Sequence, residues 1–314
     1  MHGHWHTDTV APSSENEISC MKPLAILLAT CLAALSTSIA LAQPAEWTQP
    51  QKPFRIYGNT YYVGTRGLSA ILIASPQGLV LIDAPLERNA AQIEANIRAL
   101  GFRVADIRLI LNTHAHADHA GAIAALVRDS GARVEASTAG AKALMLGGKD
   151  PEDPQYGDAP VFAPVAKVTV VADGGVLRVG DLAMTAHYTP GHTPGSTTWT
   201  WQACDAGHCL AMVYADSLSS ISAEGYRYTD DAAHPHRVED FRHGIDTIAG
   251  LPCDILMTPH PEQSGFLDKV ARRDAGTKPD PVIDPGACRA YAESGRAALD
   301  ARLAKEKAAG RPAH

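Results

Sequence analysis

Short runs in which apolar and polar residues alternate recur along the chain from residue 54 onward. Gly and Asn residues separate these runs, and alternation punctuated by turn residues is typical of a meander of β-strands. The first four runs are residues 54–57, 60–63, 69–73 and 78–82. A buried strand is predicted at 107–111, strand patterns return over 168–212, and a last short strand is predicted at 256–257.

Apolar residues spaced three and four positions apart predict helices between these strands. Ile93, Ile97 and Leu100 carry this spacing within residues 88–100. Further helices are predicted at 118–129, 238–249 and 285–308. The order of strands, helices, strands and helices favours two sheets packed together with helices outside.

Residues 146–164 form a predicted loop that is rich in Gly, Asp and Pro. Loops of this length within compact domains are often functional lids. Tyr156 and Phe162 make it a candidate flap facing a substrate, and packing on the surface is an equal alternative.

The long apolar run at 24–42 has the features of a signal peptide. Met21 and Lys22 give it a short basic start, and Ala40-Leu41-Ala42 ends it with small residues, which favours cleavage after Ala42. A membrane anchor is the alternative, because the run nearly reaches spanning length. Polar residues at 36–38 dilute it, so no stable anchor is expected.

The residues on either side of this run complete the predicted organisation. A signal peptide normally begins a protein, so Met21 is the predicted start and residues 1–20 are a non-native or misassigned leader. A lipoprotein signal at Cys31 is a weaker alternative, because Thr30 precedes it. Residues 43–314 are predicted to form a single catalytic domain, and the protein is expected in the periplasm.

Cysteine usage agrees with export. Two of the six cysteines, Cys20 and Cys31, precede residue 43. An even number remains, which in an oxidising compartment suggests two disulfides. One would close a tight loop and the other would tie the start of a late strand to the C-terminal helix. The predicted pairs are Cys204–Cys209 and Cys253–Cys288.

Composition and charge limit the possible partners. The chain has 314 residues, 46% of them hydrophobic, which is enough for a sizeable core. Its formal net charge is −7 and no Lys/Arg cluster occurs. A nucleic-acid partner is therefore not expected, because binding one requires a basic face. A small-molecule substrate is the default expectation.

The stretch Thr113-His114-Ala115-His116-Ala117-Asp118-His119 carries the most specific chemistry in the sequence. Zn²⁺ prefers imidazole nitrogen and accepts carboxylate oxygen, but one short loop cannot place all four groups on one tetrahedral ion without strain. Two adjacent metal ions are therefore predicted. Further ligands must come from elsewhere, and His192 and His260, each held between prolines after an apolar run, are the candidates.

At these residues the sequence resembles the metallo-β-lactamase superfamily, and more closely the third subclass of the class B zinc β-lactamases. The likeness extends from 57–64 through Leu81-Ile82-Asp83-Ala84 to Cys288. The subclass marks are residues 214–219, the 258–261 turn and the Cys253–Cys288 pair. The resemblance implies an α/β fold of the four-layer αββα sandwich type.

The resemblance also implies roles for individual residues. Two Zn²⁺ ions are implied, the first held by His114, His116 and His192 and the second by Asp118, His119 and His260. Ser217 and Ser219 would meet the substrate carboxylate and a metal-bound water. Asp118 would also orient the nucleophile, and Tyr226 would help to stabilise the oxyanion.

The function implied is an exported dizinc hydrolase that gives antibiotic resistance. It would open the β-lactam ring of penicillins, cephalosporins and carbapenems by attack of zinc-bound hydroxide, since zinc lowers the pKa of bound water to about 7. The β-lactam is the expected small-molecule partner, and a monomer is the expected state.

Two alternatives stay open. Another hydrolase of the same fold, such as a glyoxalase-type thioesterase, a lactonase or a phosphodiesterase, would bridge its metals with an aspartate, and Asp216 lies next to that position. Strand alternation allows only one of Asp216 and Ser217 to face the metals, and Ser217 is preferred. The second alternative is a periplasmic zinc-binding protein without catalysis.

Overall fold

The strands before residue 171 form one seven-stranded sheet. The computed structural model describes residues 43–310, so the predicted leader, the signal peptide, Cys20 and Cys31 lie outside the described residues. The strands lie side by side in chain order: β1 Phe54–Tyr57, β2 Thr60–Tyr62, β3 Ile71–Ser75, β4 Gly78–Ile82, β5 Ile107–Leu111, β6 Arg133–Ala136 and β7 Thr169–Val170. The first four pair antiparallel, and β4 to β7 pair parallel.

The later strands form a second sheet of five. They are β8 Val176–Val179, β9 Leu182–Tyr188, β10 Thr197–Asp205, β11 His208–Tyr214 and β12 Ile255–Met257. Their order is β12-β11-β10-β9-β8, and only the β11–β12 pair among these described strands is parallel. A parallel neighbour needs a crossover connection, and the helix Arg237–Gly250 supplies it between β11 and β12.

Helices cover the outer faces of both sheets. Their bounds are α1 Ala90–Ala99, α2 Ala117–Ala120, α3 Ile123–Ser130, α4 Thr138–Met145, α5 Arg237–Gly250, α6 Phe266–Asp274 and α7 Ala287–Ala308. Helices α1, α3 and α4 pack on the first sheet, whereas α5 and α7 pack on the second. Among the described residues, no helix combines the length and the apolar character needed to cross a membrane.

Strand alternation produces the layers. Leu72 and Leu81 face the outer helices of the first sheet, while Ile71, Ile73 and Val80 face inward. These inward side chains meet those of the second sheet, which include Met184, Trp199, Met212 and Tyr214. Successive side chains on a strand point to opposite faces, so one sheet fills two cores. The αββα sandwich is confirmed.

The predicted helix at 118–129 is wrong in one respect, because the chain forms two short helices there. Gly121 lies at the junction between α2 and α3. A Cβ at this position would come within 2.8 Å of the Glu87 backbone N and 3.0 Å of the Pro85 carbonyl oxygen. Only glycine allows this close approach, which fixes α2 against the segment that follows β4.

Both predicted disulfides are present. Cys204–Cys209 joins β10 to β11, and Cys253–Cys288 joins the residues just before β12 to α7. The second closes the longer loop, with a sequence separation of 35 residues compared with 5. Loss of a cross-link that closes the longer loop releases more conformational entropy in the unfolded chain.

Replacing Cys253 and Cys288 by serine is expected to lower the free energy of unfolding by about 3 kcal/mol. The matched control is the Cys204→Ser, Cys209→Ser variant, which opens only a short hairpin and is expected to lose less. Urea unfolding of both variants measures the difference. An equal loss in the two variants would contradict the entropic explanation.

Candidate metal centre

The ligand residues lie where strands end. The segment 112–119 follows β5, His192 follows β9, and His260 follows β12. Asp83, the residue after β4, fixes the first of these segments. Its carboxylate accepts hydrogen bonds from the Thr113 backbone N–H at 2.7 Å, from Asn112 Nδ2 at 2.9 Å and from Thr113 Oγ1 at 2.8 Å. Tyr214 Oη of the second sheet donates a further hydrogen bond at 3.0 Å.

The structure brings the six predicted ligands together in two adjoining groups. The ligand atoms of His114, His116 and His192 lie within 4.8 Å of one another, and so do those of His114, Asp118 and His119. His260 joins the second group, because its Nε2 lies 3.1 Å from His119 Nε2. His114, His116, His192, Asp118 and His119 form a metal-binding site.

The distances in the second group fit a tetrahedral ion. Asp118 Oδ2 lies 3.2 Å from His119 Nε2 and 3.3 Å from His260 Nε2. Zinc–nitrogen bonds of about 2.0–2.1 Å arranged tetrahedrally put ligand atoms about 3.3 Å apart. In the first group, His114 Nε2 is buried and has no hydrogen-bond partner among the described residues. A buried unpartnered lone pair is costly, and a metal ion would satisfy it.

Hydrogen bonds on the far side of three imidazoles select which nitrogen faces the centre. His114 Nδ1 donates to Asp216 Oδ1 at 2.6 Å, which leaves Nε2 free. His116 Nε2 donates to Asp153 Oδ2 at 2.9 Å, which leaves Nδ1 free. His192 Nδ1 donates to the Ser219 carbonyl oxygen at 2.8 Å, which leaves Nε2 free. Metal-bound histidines are commonly oriented by such partners.

Burial and neighbouring charges shift the pKa values of the proposed ligands. Burial alone would lower the pKa of His116 and of His260, but their carboxylate partners Asp153 and Asp118 raise it above its usual value. Burial, followed by the charges of neighbouring histidines, lowers the pKa of His114 well below its usual value and lowers that of His192 to about 3. Burial alone would raise the pKa of Asp118, but His119 and His260 hold it well below its usual range. Neutral imidazoles and an ionised carboxylate are the forms that bind metal.

A cavity of about 320 Å³ opens directly onto the cluster. The ligands His116, Asp118, His192 and His260 line one side of it. The other side is formed by residues from separate segments, which include Trp47, Gln155, Pro160, Ser219 and Ile221. A ligand held here would touch the metal ligands and an apolar rim at once, which is the usual composition of a small-molecule site.

Of the two predicted serines, Ser219 lines this cavity. Ser217 Oγ lies 3.0 Å from Ser219 Oγ and accepts a hydrogen bond from the Ser219 backbone N–H at 3.3 Å. The carboxylate of Asp216 contacts His114 at Nδ1, the ring nitrogen that faces away from the metal-binding site. Ser217 therefore braces Ser219, and Asp216 braces a ligand.

Tyr226 lies in a different place from the one its predicted role requires. Among the described residues it lines a separate cavity next to α7, and the cavity at the metal cluster does not include it. Its ring stacks on His234 with centroids 4.3 Å apart, and its hydroxyl is buried without a described partner. Oxyanion stabilisation by Tyr226 gains no support from this placement and stays a prediction.

Glu306 of α7 anchors the segment around Tyr226. Its carboxylate accepts hydrogen bonds from the backbone N–H groups of Tyr228 and Thr229 at 3.1 and 3.0 Å and from Arg302 Nε at 2.6 Å. Burial alone would raise the pKa of Glu306, but the hydrogen bonds from Thr229, Arg302 and Tyr228 lower it below its usual 4.5.

A carboxylate whose pKa is lower in the folded state than in the unfolded state stabilises the fold fully at pH values above its unfolded-state pKa. This stabilisation is lost as the pH falls through its folded-state pKa. Glu306→Gln is therefore expected to lower the thermal midpoint at pH 7. The gap from the wild type should narrow as the pH falls below about 4.5. Thermal unfolding between pH 3 and pH 7 measures this gap, and a gap independent of pH would count against an ionised Glu306.

Two residues at the site were missed by the sequence reasoning. Asp153 lies within the loop predicted at 146–164, among other acidic residues. Its position in the sequence gives no sign of a contact with a histidine. Trp47 lies in the segment before β1, and its ring centroid lies 5.4 Å from that of His260, with the two rings tilted by 41°. Both contacts join residues far apart in the chain, so only the fold reveals them.

Comparison with known proteins places this arrangement in a family. The family model described as "Metallo-beta-lactamase superfamily" matches residues 63–203. The solved structure of Rm3 metallo-beta-lactamase is 48% identical, with a TM-score of 0.81, and the alignment covers 84% of this chain and 97% of that one. The chain belongs to the metallo-beta-lactamase superfamily.

The relatives also bear on the subclass. MEM-A1, a subclass B3 metallo-beta-lactamase from a soil metagenome library, is 49% identical with a TM-score of 0.81. That alignment covers 83% of this chain and 99% of MEM-A1. The resemblance to the third subclass is thus confirmed for this superfamily member.

One curated relative is named for an activity other than that of a β-lactamase. The hydroxyacylglutathione hydrolase of Anaeromyxobacter dehalogenans (strain 2CP-C) is 31% identical over 206 residues, or 64% of this chain. The chain spans only 59% of the length of that relative. Its likeness is lower and less complete than that of the solved metallo-beta-lactamases.

Proposed function

We propose that this superfamily member is an exported hydrolase that opens the β-lactam ring of penicillins, cephalosporins and carbapenems and so gives antibiotic resistance. The observation that carries the proposal is the near full-length likeness to Rm3 and MEM-A1, at 48% and 49% identity. Fold alone does not determine substrate, so the site must agree as well.

We further propose that the site holds two Zn²⁺ ions, one on His114, His116 and His192 and the other on Asp118, His119 and His260. The ligand-to-ligand distances and the unpartnered His114 Nε2 support this assignment. Bound zinc would supply a water nucleophile at neutral pH and positive charge opposite the negative charge that develops on the carbonyl oxygen.

The side chains around the cavity supply the remaining functions. The low pKa of Asp118, set by its neighbouring histidines against the effect of burial, keeps its carboxylate ionised so that it can orient the attacking water. Ser219 offers a hydroxyl to the substrate carboxylate, and Trp47 and Ile221 give apolar contact. In the reaction, the water oxygen bonds to the carbonyl carbon, the C–N bond breaks, and the proton that the water releases ends on the departing nitrogen.

The position of Asp216 favours this function over other hydrolases of the fold. A bridging aspartate would have to face the metals, whereas Asp216 contacts the outward Nδ1 of His114. The hydroxyacylglutathione hydrolase relative favours thioester hydrolysis as a second candidate, supported by 31% identity over 64% of the chain. A cavity lined by the ligands argues against a carrier, which has no need of a substrate space.

Export is proposed on separate grounds. The chain has two disulfides. Disulfides persist in oxidising compartments such as the periplasm and are rare in the cytosol. The apolar run that ends at Ala42 has the pattern of a cleavable signal peptide, which implies a mature chain from Gln43 that is free of the membrane. A monomer is part of the same proposal.

Hydrolysis assays on protein starting at Gln43 test the proposed function. Nitrocefin, a penicillin and a carbapenem would be compared with S-lactoylglutathione and a lactone. We expect β-lactam turnover that a chelator abolishes and added Zn²⁺ restores. Faster turnover of the thioester would replace the proposal with the second candidate, and a metal-loaded protein inert to every substrate would favour a carrier.

A further inference from the structure

Asp153 joins the loop at 146–164 to a metal ligand. Its Oδ2 accepts a hydrogen bond from His116 Nε2 at 2.9 Å, and both side chains are buried. Its other oxygen, Oδ1, accepts a hydrogen bond from the Gln155 backbone N–H at 2.7 Å. The carboxylate is therefore held from the loop side while it contacts the imidazole.

A second segment makes the equivalent contact to another ligand. His192 Nδ1 donates to the carbonyl oxygen of Ser219, and Ser219 Oγ lies 3.1 Å from the same nitrogen. His116 and His192 thus belong to one group of ligands but are oriented from two segments that are distant in sequence. Neither segment contains a metal ligand of its own.

Hydrogen bonds join the segment that contains Asp153 to the segment that contains Ser219. The Ala223 backbone N–H donates to the Pro154 carbonyl oxygen at 2.8 Å, and the Glu224 backbone N–H donates to Asp158 Oδ2 at 3.2 Å. Arg237, at the start of α5, also pairs with Glu152 at 2.7 Å. Asp153 and Ser219 therefore belong to one connected unit, which we call the ligand clamp and define as residues 153–160 and 217–224.

We propose that Asp153 is a positioning residue through which the ligand clamp fixes His116 in the tautomer that presents Nδ1 to a metal ion. The inference rests on the proposed metal centre. A neutral imidazole carries one proton, and a carboxylate at Nε2 keeps that proton there. Nδ1 then keeps its lone pair, and the nearby negative charge makes it a better donor.

The ligand clamp also couples metal binding to the substrate cavity. Gln155, Ala159 and Pro160 of the clamp line the cavity next to His116. Because Asp153 holds this part of the loop to His116, metal occupancy of the group His114, His116 and His192 stabilises one wall of the cavity. By linkage, a change that breaks the contact between Asp153 and His116 weakens metal binding.

Zinc titration of Asp153 variants tests this role. Asp153→Ala is expected to weaken binding of one Zn²⁺ about 10- to 100-fold, the usual effect of removing a partner of a metal ligand. Asp153→Asn should fall between this variant and the wild type, because its amide oxygen can still accept from His116 Nε2. Competition with a chromogenic chelator measures these affinities and does not depend on catalysis.

Asp150→Ala is the matched control. Asp150 is a buried carboxylate in the same loop, but it pairs with Lys142 at 2.7 Å and not with a ligand. Its zinc affinity is expected to match the wild type. Hydrogen exchange of the metal-loaded proteins adds a second readout, with faster exchange expected over 154–159 and 219–224 in Asp153→Ala.

Two results would overturn the inference. One is wild-type zinc affinity in Asp153→Ala, or in Asp153→Asn and Asp153→Leu if the alanine variant does not fold. The other is an equal loss in Asp150→Ala, which would reduce Asp153 to a structural role. A chain that binds zinc as expected but hydrolyses no β-lactam would refute only the proposed function.

Discussion

His192→Ala is expected to lose one bound metal ion and to reduce kcat/KM for a β-lactam on the order of 10³-fold. Metal ions contribute several kcal/mol of transition-state stabilisation, and each 1.36 kcal/mol corresponds to a factor of about ten. The variant leaves His114 and His116 without the third member of their group. Metal analysis after gel filtration and steady-state kinetics measure the two effects.

His187→Ala is the control for this variant. His187 is a half-buried histidine on β9, close in sequence to His192, and its Nε2 contacts Thr200 Oγ1 at 2.8 Å. It belongs to neither group of ligands, so metal content and kcat/KM should stay at the wild-type level. Full metal content and activity in His192→Ala would refute the assignment of the first group.

Asp83→Ala is expected to reduce the free energy of unfolding by about 3–5 kcal/mol, because each buried donor left without its acceptor costs about 1–3 kcal/mol. The change leaves Asn112, Thr113 and Tyr214 with buried donors that lose their acceptor. Urea unfolding with excess chelator measures the loss, because metal then stabilises neither protein.

Asp129→Ala provides the comparison for Asp83→Ala. Asp129 pairs with Arg128 on the surface, where ion pairs add little to stability, so no measurable change in unfolding is expected. A loss below 1 kcal/mol in Asp83→Ala would mean that other contacts hold the segment 112–119 in place.

The sequence predicted the strands and the metal cluster well because each has a strong local signal. Strand β5 is an apolar run broken only by the exposed Arg108, and its predicted bounds match the structure. His114, His116, Asp118 and His119 follow it within one short segment, so the end of a single strand positions all four. These four residues are close in space because they are close in sequence, and the rest of the fold contributes little to bringing them together.

Other elements were missed for different physical reasons. Helix α6 has the required signal, since Phe266 and Val270 are both buried and lie one helical turn apart, and it could have been found. Strand β6 has four residues and α4 has eight, so neither gives a long periodic pattern. The contact of Asp153 with His116 spans 37 residues of chain and has no sequence signature.

The six ligand residues come from both halves of the sandwich. Four follow a strand of the first sheet, while His192 and His260 follow strands of the second. A cation held among them is a removable cross-link between the two sheets, and it favours the folded chain by about 2.7 kcal/mol when its free concentration is 100 times its Kd. Removal of the cation would therefore lower the free energy of unfolding as well as the activity.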